Sequence, residues 1–149
     1  MNESKLYFID TNIFLRVLVQ ENKTSFEDCF KILEMIKYGE IKAFTNSLVL
    51  AEINWVLSGL YKFSKEKTVE AIRSILNLKN LKIIDKSEPQ EGINLYEKNK
   101  VKFIDALIAA NDLILKKEAK IISYDKDFDK MGVVRIEPRK IIMVRKIIL

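Results

Sequence analysis

The chain has 149 residues, 48% hydrophobic and 32% charged, with 26 lysines and arginines against 21 acids for a net charge of +5. That is the size and balance of one soluble domain around one core, and no apolar run approaches the roughly 18 residues of a membrane span. Histidine is absent and Cys29 is the only cysteine, which removes Ser-His-Asp and Cys-His catalysis, the usual zinc ligand sets and any internal disulfide.

Carboxylates, lysines and hydroxyls remain for chemistry. Carboxylate oxygens select hard cations such as Mg²⁺ or Mn²⁺, so a metal site here would be an oxygen site. The lone thiol and a start without the basic-then-apolar layout of a signal peptide predict a reducing, cytoplasmic setting. The positive charge permits a polyanionic partner without specifying one, because solvated lysines on helix backs account for the same count.

In chain order, Leu6 to Ile9 reads as a buried strand that ends abruptly at Asp10. Ile13 to Val19 continues as a short apolar helix, capped by Thr11 or Asn12. Thr24, three residues before Glu27, predicts a capping box and a helix running to about Tyr38. Cys29 falls on that helix and reads as a small packing residue, with no neighbour to activate it. Gly39 ends the helix and Ile41 to Thr45 reads as a second strand. Asn46 or Ser47 then caps a helix from about Leu48 to Tyr61, and a second one from Ser64 through Leu76 completes a helical hairpin.

Leu81 to Asp85 is a short third strand. Pro89 opens a polar helix to about Lys98, in the first turn where a missing N–H costs nothing. Phe103 to Lys117 reads as one strong helix, and Ile121 to Tyr124 as a fourth strand ending at Asp125. A turn of helix from Lys126 to Met131, Gly132 and a fifth strand from Val133 to Ile136 follow. Strand alternating with helix predicts an α/β fold, a parallel sheet covered on both faces. Pro138 is expected to close the domain at residues 1–138. The basic, apolar tail Arg139 to Leu149 is expected as an edge strand, a dimer contact, a partner-binding arm or a segment packed back on the domain.

Four places in this order deliver carboxylates. Asp10 and Asp125 each follow a strand, and ligands in open parallel sheets bind outside the carboxyl ends of the strands, where strand order reverses. Glu52 has Leu48, Val49, Trp55 and Val56 three or four positions away, an apolar helix face on which an ionised group needs a partner or a metal. Asp105 lies in the first turn of its helix, where it complements the dipole or faces the sheet. Asp127 competes with Asp125 as a ligand or caps a turn, whereas Asp129 is expected in solvent.

Ile9-Asp10-Thr11-Asn12, Glu52 within Ser47 to Glu52, Asp105 within Phe103 to Ala110, and Ser123-Tyr124-Asp125-Lys126-Asp127 resemble, in order and spacing, the PIN-domain ribonucleases and especially VapC-type toxins. The resemblance spans residue 6 to about 137. It implies a three-layer α/β/α sandwich with a five-stranded parallel sheet, Mg²⁺ or Mn²⁺ dependence, and cleavage of RNA. It carries over Asp10, Glu52 and Asp105 as an acidic triad and Asp125 as a fourth acid, with Asp127 a competing choice. Asn12 and Ser123 match positions that orient those acids; Ser123 stands where the family more often has Thr. VapC-type toxins are usually dimers held by a small antitoxin, so RNA, a second copy and an antitoxin are the implied partners.

Three rivals stay open. A PIN-domain nuclease can act in RNA processing without an antitoxin. A phosphohydrolase with Asp10 as nucleophile usually needs an Asp two residues on, where this chain has Asn12. A binding module with a vestigial acidic pocket would keep the acids and lack the metal.

Overall fold

The structure, a computed structural model, describes residues 5–148. Leu149, the last residue of the tail considered above, lies outside them. The first half runs β1 (Leu6–Ile9), α1 (Thr11–Leu18), α2 (Lys23–Lys37), β2 (Lys42–Thr45), α3 (Ser47–Trp55), a π-helical turn (Val56–Leu60) and α4 (Lys65–Leu76). The second half runs β3 (Leu81–Ile83), α5 (Pro89–Lys98), α6 (Phe103–Ala109), α7 (Asp112–Leu115), β4 (Ala119–Ile122), a 3₁₀ turn (Lys126–Met131), β5 (Arg135–Ile136) and α8 (Pro138–Ile148).

All five strands are parallel, in the order β3-β2-β1-β4-β5. The chain steps outward from β1 through β2 to β3, then returns across the sheet to β4. Strand order therefore reverses between β1 and β4, where Ile9 lies beside Ile122. Right-handed crossovers place the two sets of helices on opposite faces, and the packing agrees: α1 contacts α2 and α3, α3 contacts α4, and α5 contacts α6. Burial on both faces explains why the strands read as continuous apolar runs. Phe8, Ile9, Phe44, Ile121 and Ile122 have no exposed surface, and the Phe8 and Phe44 rings meet edge to face at 5.3 Å.

Several boundaries depart from the sequence expectations for identifiable reasons. Neither Thr11 nor Asn12 caps α1; both lie inside it, after Asp10. The cap of α2 is Asn22, whose side chain accepts from the Ser25 N–H at 2.9 Å, so the Thr24/Glu27 capping box does not form. The single helix expected over Phe103 to Lys117 is two. Asn111, fully buried, turns its side chain to the Leu113 N–H at 2.9 Å and starts α7 afresh, offering the backbone an alternative to the helical ladder.

Trp55 is 70% exposed, off the face assigned to it beside Glu52. The buried stripe is Val49, Ile53 and Leu57, spaced by four, and Glu52 borders it half-buried. Apolar residues lie on every side of α3, which left little contrast from which to choose the face. Asp85 accepts from both the N–H and the hydroxyl of Ser47 at 2.7 Å, fixing the start of this helix to the end of β3.

The tail is a helix and not an edge strand. Pro138 begins α8, where its fixed φ suits a first turn. Ile141 and Ile142 are buried, α8 packs against α2, and Arg139 pairs with Asp28 at 3.0 Å. The Arg145 guanidinium donates to the Glu40 carbonyl at the other end. No helix among the described residues is long and apolar enough to cross a membrane.

Candidate metal centre

Asp10 leaves β1 at the point where the sheet changes direction. Its N–H donates to the Ile122 carbonyl at 3.2 Å, so the β1–β4 ladder runs up to the residue itself. The side chain is 3% exposed. Its Oδ2 accepts from Ser123 Oγ at 2.6 Å and from Asn12 Nδ2 at 3.1 Å. Ser123 Oγ in turn accepts from Asn12 Nδ2 at 3.0 Å and from the Asp125 N–H at 2.9 Å. Asn12 Oδ1 accepts from the Tyr124 N–H at 3.2 Å. One network therefore ties the carboxyl end of β1 to the segment after β4. Asn12 and Ser123, the two supporting residues of the sequence reading, both lie against Asp10.

Asp105, Asp125 and Asp127 each offer a carboxylate oxygen, and these three oxygens lie within 4.8 Å of one another. The first turn of α6 supplies Asp105, which is 3% exposed and points inward from a position that also suits the dipole. Asp125 caps the 3₁₀ turn, its Oδ1 accepting from the Asp127 N–H at 2.9 Å. That short turn brings Asp127 into the same group, so Asp125 and Asp127 occur together and are not alternatives in space. Lys130 meets Asp127 Oδ1 at 2.8 Å. Glu52 stands apart from this trio and accepts a hydrogen bond from Thr11 Oγ1. Asp129 is half exposed and is engaged by Arg135.

Burial sets the electrostatics. It pushes the Asp10 carboxyl up to about 7 against the donations of Ser123 and the Thr11 N–H, while the charges of Glu52 and Asp125 add to the rise. Burial also raises Asp105, followed by the charges of Asp10, Asp125 and Glu52, with Lys102 opposing them. Asp10 Oδ1 and Asp105 Oδ2 are buried with no hydrogen-bond partner. Buried polar atoms are almost always paired, and an orphaned carboxylate oxygen amid like charges is a cost that a bound cation removes. A donor set made only of oxygens fits a hard divalent ion.

A family model described as the PIN domain matches residues 7–134. The chain belongs to the PIN-domain family. Among curated proteins, a VapC ribonuclease of Aquifex aeolicus (strain VF5) is 28% identical over 134 residues, which cover 87% of this chain and 95% of that one. Among solved structures, PAE2754 of Pyrobaculum aerophilum has a TM-score of 0.65 at 12% identity, covering 95% of each chain. VapBC2 of Rickettsia felis, bound to a DNA fragment from its promoter, has a TM-score of 0.64 at 21% identity, covering 89% of this chain and 98% of that one. At these identities the structural likeness bears on the fold, and it agrees with the five-stranded parallel sheet of this PIN domain.

Two contributors to the PIN-domain site escaped the sequence reading. Thr11 looked like a helix cap; its hydroxyl instead holds Glu52, joining α1 to α3 across the mouth of the sheet. Arg135 drew no reading of its own within the fifth strand; its guanidinium reaches the Ser123 carbonyl at 3.0 Å. Neither has a signal in periodicity. Adjacency to Asp10 was the one cue for Thr11.

Proposed function

We propose that this PIN domain is a Mg²⁺- or Mn²⁺-dependent endoribonuclease and the toxin of a toxin–antitoxin pair. The observation that carries the proposal is the pair of unpartnered buried oxygens, Asp10 Oδ1 and Asp105 Oδ2, on two carboxyls that burial and the neighbouring acidic charges raise. The similarity to a VapC ribonuclease supports RNA as the substrate. The resemblance in fold to VapBC assemblies supports a small antitoxin as the partner. A homodimer is part of the same proposal.

In this reading Asp105, Asp125 and Asp127 hold the ion directly, Asp10 contributes its free Oδ1, and Glu52 acts through water. When bound, a divalent ion polarises a phosphoryl oxygen and lowers the pKa of an attacking water. The chain's own task is to keep carboxylates ionised and aimed in a buried place. Ser123 and Asn12 do this for Asp10 by donating to Oδ2, which leaves Oδ1 free. Thr11 orients Glu52 by donating to its Oε1. With histidine absent, carboxylates are the side chains this site offers to take the proton from water. Lys100, Lys102 and Lys126 are the cations proposed to guide the RNA backbone.

Purified protein incubated with RNA should cleave it when Mn²⁺ is present, stop when chelator is added in excess, and resume when Mn²⁺ is restored. Cleavage that continues in chelator contradicts the metal-dependent reading. Failure to bind Mn²⁺ by calorimetry, together with no cleavage of any RNA offered, would favour the binding-module reading instead.

A further inference from the structure

One guanidinium holds both ends of the segment that carries Asp125 and Asp127. Arg135 lies on β5, in register with Ile121 of β4, and its side chain is only 11% exposed. Nη1 donates to the Ser123 carbonyl at 3.0 Å, two residues before Asp125. Nε and Nη2 donate to the two oxygens of Asp129 at 3.0 and 3.2 Å, two residues after Asp127. The Ser123 peptide is gripped on its other side as well, its N–H donating to the Ile136 carbonyl at 3.1 Å. Arg135 also meets Glu137 Oε2 at 2.7 Å, outside the segment.

This arrangement is more than an exposed ion pair. A planar fork matched to both oxygens of one carboxylate fixes direction as well as distance, which a lysine at the same place cannot do. Between the two anchor points the chain makes an Asx turn at Asp125 and a 3₁₀ turn; Asn12 and the Ser123 hydroxyl hold its start and Lys130 meets Asp127, whereas the Asp129 end is held by Arg135. The span is short enough that fixing its ends fixes where the Asp125 and Asp127 carboxylates stand relative to Asp105. Partners behind metal ligands of this kind set ligand orientation and typically change metal affinity by about 10- to 100-fold when removed.

We infer that Arg135, clamped by Asp129, is a positioning residue for the acidic centre: it holds the Ser123–Asp129 segment so that Asp125 and Asp127 converge with Asp105. The inference rests on the metal-centre reading above. Its chemistry needs no contact between Arg135 and RNA, so the clamp acts on metal affinity before substrate arrives.

The test is a calorimetric Mn²⁺ titration of the full chain, with thermal melts in chelator as a separate measure of folding. Asp129→Asn keeps size and exposure while removing the charged fork, and it is expected to weaken Mn²⁺ binding about tenfold. Arg135→Lys is expected to do the same. Glu137→Gln removes an equally close partner of Arg135 that lies outside the segment, and should leave Mn²⁺ affinity at the wild-type value. A merely structural role for the cluster predicts that Asp129→Asn and Glu137→Gln lower the melting temperature alike and leave Mn²⁺ affinity alone. Wild-type affinity in a folded Asp129→Asn variant overturns the inference even if Arg135→Lys fails to fold. Absence of Mn²⁺ binding by the wild-type protein would instead overturn the metal-centre reading on which it rests.

Discussion

Asp10→Asn is expected to abolish Mn²⁺-dependent RNA cleavage while making the metal-free protein more stable. Both effects come from one buried carboxylate. The activity loss follows because an amide offers a neutral oxygen where the site needs an anionic ligand; loss of about 4 kcal/mol of transition-state stabilisation is a fall of about 1,000-fold. The gain in stability follows from burial, which holds Asp10 up to about 7 in the folded chain. Above that pH the wild-type fold carries an ionised group with an unpartnered oxygen beside the charges of Glu52 and Asp125. The asparagine keeps an oxygen for Ser123 to donate to and removes the charge, so the melting temperature in chelator should rise by several degrees. Thermal melts at pH 8 and single-turnover cleavage measure the two effects separately. A variant that loses both stability and activity would mean that Asp10 is a structural residue.

The second large effect couples pH and metal. A carboxyl whose pKa is raised in the folded state keeps its proton longer there than in the unfolded chain. Between about 4, where it ionises when unfolded, and about 7, where Asp10 ionises when folded, the native state binds more protons. Stability of the metal-free protein must then fall as pH rises through that window. Asp105, raised by burial and by its acidic neighbours, pulls in the same direction. Metal competes with those protons, so Mn²⁺ affinity should climb over the same range and level off once both groups are ionised. At a hundredfold excess over its dissociation constant the ion stabilises the fold by about 2.7 kcal/mol. For a chain of this length that is a rise of roughly 5 to 10 °C in melting temperature. Melts at pH 5 and pH 8, each with Mn²⁺ and with chelator, should give a shift at pH 8 and almost none at pH 5. Equal shifts at both values would contradict the placement of the ion on Asp10 and Asp105.

Much of this architecture could be read from residue order because the same physics governs sequence and fold. An apolar run buried on both faces must stop where the chain meets solvent, so strands ending at Asp10 and just before Asp125 pointed to one edge of the sheet. Their meeting at the β1–β4 reversal is the consequence. Ile141, Ile142 and Val144 are β-branched and suggested a strand; the groove beside α2 and the proline at its start make the tail a helix. Asn111 sat in a helical stripe, and its side chain broke the stripe in two.

The parts of the site that stayed hidden are those made by polar side chains reaching across the chain. The sequence offers Asp127 as a competitor of Asp125; that both converge with Asp105 depends on an Asx turn, whose local geometry has no period to detect. Thr11 holds Glu52 and Arg135 holds Ser123 and Asp129 over separations of 41, 12 and 6 residues. Such ties are decided by tertiary approach. Composition had narrowed the chemistry to oxygen ligands beforehand, since a chain without histidine leaves few other ways to hold a divalent cation.

The most direct measurement is an anomalous difference map from a crystal of this protein soaked in Mn²⁺ at pH 8. A peak is expected about 2.1 Å from carboxylate oxygens of Asp105, Asp125 and Asp127, with the free Oδ1 of Asp10 turned toward it. A peak at another place on the molecule, or none in crystals of protein that still cleaves RNA when dissolved, would contradict that placement.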